Sequence, residues 1–120
     1  MTDHVAGREL DALVAEKVMG WKVDNEHPYT TYYDGIDFMG SNCEDDQAYW
    51  SPSTDIAAAW QVVEKMRERG YDTCVSNGER PPPNVWEAEI YVYPGGLGGG
   101  CEKADTAPLA ICLAALKACG

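Results

Sequence analysis

The chain has 120 residues, enough for one domain with its own core, and its 20 acids against 9 Lys and Arg give a formal net charge of −11. That balance, with no block of Lys and Arg anywhere, excludes duplex DNA or RNA as a partner and sets the chain against an anionic membrane surface. No segment reaches the roughly 18 apolar residues of a membrane span, and the charged N-terminal stretch lacks the apolar run of a signal peptide, so a cytoplasmic protein is expected.

GRELDALVAEKVMG predicts the first helix. Leu10, Leu13, Val14 and Val18 fall on one face, while Arg8, Glu9, Asp11, Glu16 and Lys17 fall mostly elsewhere. Gly20 is a natural stop, because glycine tolerates the left-handed conformation of a helix end. Short strands are expected at 32–33, 36–39 and 48–50, with a turn at Asp34-Gly35. STDIAAAWQVVEKMRERG predicts the second helix, capped by Ser53 or Thr54, with Asp55 complementing its dipole and Gly70 ending it. Its apolar spacing predicts a buried face of Ile56, Ala59, Trp60, Val63 and Met66, with Trp60 in the core.

YDTCVS predicts a strand at 71–76, followed by a turn at Asn77-Gly78 that Pro81, Pro82 and Pro83 make too long and stiff for a tight hairpin. In VWEAEIYVY, Trp86, Ala88, Ile90 and Val92 alternate with Glu87, Glu89, Tyr91 and Tyr93, which predicts a half-buried strand with one wet face. The glycine-rich run from Gly95 to Gly100, interrupted by Leu97, then stands between a strand and a helix, the order of a phosphate-binding loop. The motif itself is missing, since Lys103 lies between Glu102 and Ala104 rather than before Ser or Thr. A pliable link from a strand to a helix in another layer is therefore expected. ADTAPLAICLAALKACG predicts the third helix, capped by Asp105 or Thr106, with Pro108 in the first turn. Lys117 is its only charge beyond Thr106, so it belongs either deep in the core or at a subunit interface, and a homo-oligomer is expected. The elements sum to an α+β fold of the α/β type: three helices packed on a small, mainly antiparallel sheet in α-β-α layers, as a single domain over 1–120.

GRELDALVAEKVMGW, PSTDIAAAWQVVEKMRERG and ADTAPLAICLAALKA, in this order and spacing, resemble the phage ABA sandwich domain proteins, which are small phage- and prophage-encoded proteins. The resemblance covers about half the chain and implies a phage origin and helices layered with sheet. It implies no activity.

The reactive residues form no familiar constellation. Cys43, Cys74, Cys101, Cys112 and Cys119 are odd in number and without a C-x-x-C, so reduced thiols are expected. His4 and His27 lack metal-ligand spacing, and Glu44-Asp45-Asp46 lacks the pattern of a calcium loop, so no metal and no cofactor is implied. G-x-S-x-G is absent, which leaves no signature of an enzyme. The candidate ligand-binding groups are the two polar helix starts, Ser53, Thr54 and Asp55 in one and Asp105 and Thr106 in the other, with Trp50, Tyr91 and Tyr93 as aromatic faces. Helix N-termini attract anions and aromatic faces stack on nucleobases. With the phage origin implied above, these point to a non-enzymatic protein that binds a small nucleotide-like ligand. Such a protein would act as a sponge for a host immune signal of the cyclic nucleotide or cyclic ADP-ribose type. The alternative is an accessory protein that binds a host or phage protein through an apolar face.

Overall fold

A computed structural model describes residues 6–24, 30–43, 49–77, 85–92 and 100–119. The first helix, α1 (Arg8–Val14), runs on into a π-helical turn, Ala15–Met19. Gly20, at φ 76°, takes the left-handed conformation that ends it, and the Trp21 N–H reaches back to the Ala15 carbonyl at 2.8 Å. Strands β1 (Lys22–Asp24), β2 (Thr31–Asp34) and β3 (Asp37–Ser41) form one antiparallel sheet in that order. Asp34 pairs with Asp37, so Gly35 and Ile36 are the two turn residues, and Gly35 supplies the positive φ that the tight hairpin requires.

Helix α2 (Ile56–Glu68) leads into a second antiparallel sheet of β4 (Tyr71–Asn77), β5 (Trp86–Val92) and β6 (Gly100–Ala104), and helix α3 (Ala107–Cys119) follows β6 directly. The fold is thus mixed α+β, but with two three-stranded sheets in place of the one sheet expected. Two strands, β1 and β6, have no counterpart in the sequence reading. Each is short and rich in polar residues, so neither presents an alternating apolar signal. The glycine run does not lead straight into a helix: its last member, Gly100, pairs with Ile90 and opens β6. A Cβ on Gly100 would overlap the Ala114 carbonyl oxygen and come within 2.9 Å of Lys117 Cβ, so glycine is what lets β6 lie this close against α3. The rest of the run, the triple proline and Tyr93 lie outside the described residues.

The three helices run the same way. At one end, the Gly7 N–H donates to Ser53 Oγ at 2.9 Å, which ties the start of α1 to the segment before α2. At the other end, Arg69 Nη1 reaches the Lys17 carbonyl oxygen at 3.4 Å and Cys119 Sγ at 3.3 Å, joining the last turns of all three. A guanidinium there complements three negative dipole ends. α3 lies against β5 and β6 on one side and against α2 and α1 on the other. Ala110, Ile111, Cys112, Ala114 and Ala115 are fully buried, Leu109, Leu113 and Leu116 are half-buried, and Lys117, its one charge, is exposed. The opposite face of the second sheet carries exposed Asp72, Cys74, Glu89, Cys101 and Lys103. No helix among the described residues is long and apolar enough to cross a membrane.

α2 corrects the expectation for Trp60. Its buried face is Ala58, Ala59, Val62, Val63 and Met66, whereas Trp60 is 55% exposed and Ile56 is exposed beside it. The predicted stripe thus splits: Val63 packs inward with Ala59, Val62 and Met66, while Ile56 and Trp60 do not. The small alanines win the close approach to α3, and the bulky residues are rotated outward.

Candidate functional site

The two polar helix starts fold into different surroundings. Before α2, residues 51–54 wrap around the carboxylate of Asp11, which is 1% exposed. The Ser51 hydroxyl donates to Asp11 Oδ2 at 2.7 Å and the Ser53 N–H to Oδ1 at 2.9 Å. The hydroxyls of Ser51 and Thr54 are 2.8 Å apart, so the Thr54 proton feeds the same chain. Burial pushes the Asp11 carboxyl above its ordinary range, and the hydrogen bonds from Ser51 and Ser53 only partly offset it. The periodicity of α1 places Asp11 toward water; the structure buries it, because it has a set of donors some forty positions away to satisfy.

Beside this carboxylate stands an aromatic cluster. Trp21 and Trp50 have ring centroids 4.9 Å apart, and Tyr32 meets Trp50 edge-on at 5.0 Å. The Trp50 indole N–H donates to Gln61 Oε1 at 2.8 Å. Trp50 is only 3% exposed, so the structure makes it a core residue with no ring face open to a ligand. The Tyr32 hydroxyl is buried without a partner among the described residues, and burial, followed by the nearby Asp11 charge, pushes its pKa up.

The start of α3 is open. Asp105, Thr106, Ala107, Pro108 and Ile111 line a groove of about 500 Å³ whose other walls are Ile56 and Trp60 of α2, Val75 of β4 and Trp86 of β5. It sits where α2 and α3 both begin, against the helix-covered face of the second sheet: Val75 pairs with Ala88, and Trp86 lies two positions from it on the same face. Thr106 caps α3 by accepting the Leu109 N–H at 3.3 Å, and its carbonyl accepts the Ala110 N–H at 3.1 Å. In the first turn Pro108 has no N–H to give.

The expected site residues therefore separate. Asp105 and Thr106 meet in the groove. Ser53, Thr54 and Trp50 belong to the neighbourhood of Asp11, and Asp55 opens α2 without a side-chain cap, its N–H donating to the Ser51 carbonyl at 2.8 Å. Tyr91 is half-buried opposite Asp72, on the outer face of the second sheet. Of the groove's aromatic walls, periodicity alone places Trp60 in the core and Trp86 on the apolar side of a half-buried strand. The available signal was excess: α2 carries more bulky apolar residues than one packed face can take. Among the described residues no group of three His, Cys, Asp or Glu stands together as a metal site. Burial pushes the Cys112 thiol up, as expected for a cysteine used as a small apolar residue.

A small α+β chain with two aromatic side chains opening onto one groove is the class that fold and site define. Within that class, the match to known families is direct: the family model for the phage ABA sandwich domain fits residues 12–116, and the chain belongs to that family. It is a phage protein domain. No curated protein and no solved structure matches it.

Proposed function

We propose that this phage domain binds a small ring-bearing molecule in the groove between α2, α3 and the second sheet, and that it holds the molecule rather than turning it over. The observation that carries the reading is Trp60, a large aromatic side chain left 55% exposed over a groove that Trp86 also lines. Exposing such a ring forgoes burial worth about 2 kcal/mol, which a partner would recover. Among the described residues Asp105 is the only ionisable group in the lining; with no second acid there, and with the neighbouring Thr106 hydroxyl used to cap α3, the site suits retention better than catalysis. A nucleotide-derived host signal, sequestered by a phage protein, fits a site of this size when its base ring stacks on indole.

The test is native mass spectrometry of the protein after incubation with extract of phage-challenged bacteria. A bound small molecule, released unchanged on denaturation and lost in Trp60→Ala, is the expected result; a chemically altered molecule would make the protein an enzyme. A second reading has an observation of its own. Ile36, at the β2–β3 turn, is 96% exposed, and Phe38 and Met39 beside it are exposed as well. Such a patch suits docking to another protein. Retention of a protein that Ile36→Asp releases, with no small molecule bound, would favour this reading.

A further inference from the structure

Resting on the reading of the groove as a small-molecule site, we infer that the moiety it takes is a flat organic cation, with neutral rings weaker and anions weakest. The walls are the first reason. The faces of Trp60 and Trp86 carry the negative part of an aromatic quadrupole, which attracts a cation placed over them. Asp105, the one charged residue of the lining among the described residues, has the sign to pair with that cation.

The second reason is what the start of α3 withholds. An anion at a helix N-terminus is held by free backbone N–H groups. Here the Leu109 N–H goes to Thr106 Oγ1, the Ala110 N–H goes to the Thr106 carbonyl, and Pro108 has none. Of the first three positions of α3, only Ala107 keeps a donor for a ligand; α2, whose Ile56 also lines the groove, begins without a side-chain cap, and there the Asp55 carboxylate stands against an anion. The helix dipoles of α2 and α3 place roughly half a positive charge each at this end. Asp55 and Asp105 set a full negative charge against each of them.

The third reason is that, among the described residues, no lysine compensates. Lys103, the nearest in sequence, belongs to the outer face of the second sheet, with Nζ 3.8 Å from Glu87. Lys117 lies toward the far end of α3, with Nζ 3.6 Å from Glu102. Among the described residues the groove thus offers a ligand aromatic walls and a single carboxylate, in a chain of net charge −11. A nucleotide-derived ligand would seat its ring here and leave its phosphates in water.

Three rings of one shape and different charge test this on the full-length protein: 1-methylnicotinamide, nicotinamide and nicotinate. Each is titrated while the indole N–H signals are followed by NMR, with Trp60→Phe and Trp86→Phe assigning the groove pair. The buried Trp21 and Trp50 are internal controls. The Trp60 and Trp86 signals should shift, and 1-methylnicotinamide should bind roughly 3- to 10-fold tighter than nicotinamide, with nicotinate weakest. In Asp105→Asn the cation's advantage should fall to about twofold or less while nicotinamide binding holds. Nicotinate binding as well as or better than the others, or no difference between cation and neutral ring, overturns the inference and leaves the groove reading standing. No shift at Trp60 or Trp86 with any of the three overturns both.

Discussion

STDIAAAW and ADTAPLAI are near equivalents as sequence, each placing a hydroxyl and an acid just ahead of an alanine-rich helix. In the folded chain they have opposite surroundings. The first is closed: Ser53 is fully buried, and Asp11 accepts from both the Ser51 hydroxyl and the Ser53 N–H. The second is open: Thr106 caps its own helix, and with Asp105 it borders a groove. The difference lies not in the capping residues but in what a distant segment brings to them. Asp11 reaches the first start, and among the described residues nothing comparable reaches the second. A polar helix start becomes a candidate ligand site only where the fold leaves it without such a visitor.

Two tryptophans test the contrast most severely. Trp50→Ala, in the closed region, should cost about 3–5 kcal/mol, because it empties a packed aromatic cluster and strands the Gln61 side chain. Trp60→Ala, at the open groove, should change stability by under about 1 kcal/mol while removing ligand binding. Urea midpoints of the two variants decide it; equal losses would mean that the groove is part of the core.

The carboxylates come next. Asp11→Ala should cost about 3 kcal/mol, since it leaves a buried N–H and a buried hydroxyl without their acceptor, whereas Asp105→Ala should stay within about 0.5 kcal/mol. Chemical denaturation of both would show whether the closed start depends on its visitor.

Asp11 also sets a pH dependence that the open start lacks. Its folded carboxyl titrates above the ordinary value of 3.8, so the folded state keeps this proton to higher pH than the unfolded chain does. The Asp11 contribution to stability therefore falls as pH rises from about 3.8 through the raised folded value, and is flat above it. Subtracting the stability profile of Asp11→Asn from that of the native protein should isolate this downward slope. A difference that rises with pH in the same window would mean that the hydrogen bonds outweigh burial.

The smallest effects concern the hydroxyls. Thr106→Ala removes a helix cap and should cost about 1 kcal/mol. Thr54→Ala should cost less, because Thr54 is exposed and its hydroxyl only extends a chain that Ser51 and Asp11 complete. Thermal melts of the pair would rank them, and a larger loss for Thr54 would mean that the relay to Asp11 matters more than the cap.

Local chemistry explains what the sequence made legible. Gly20 and Gly70 end their helices with positive φ, Thr106 and Pro108 open α3, and the alternation of Trp86, Ala88 and Ile90 marks β5, because each signal lies within a few residues of the element it shapes. The family resemblance was legible for the same reason, carried by three contiguous helical segments that fall largely within residues 12–116. Asp105 and Thr106, two of the nine residues that line the groove, are also among the expected ligand-binding groups.

Tertiary structure decided the rest. It divided the strands between two sheets, a matter of pairing partners that no single strand encodes. It turned α2 so that Ala58, Ala59, Val62 and Met66 pack inward and Trp60 faces the groove, since a helix with apolar residues over more than one stripe takes its orientation from its neighbours. It buried Asp11, against the pattern of α1, because burying a carboxylate is tolerable only where donors await it, and those donors come from a loop some forty residues further on. Residue types along the chain fix which groups can cap, bend or bury; which of them are left facing a ligand depends on long-range packing, which has no local signature.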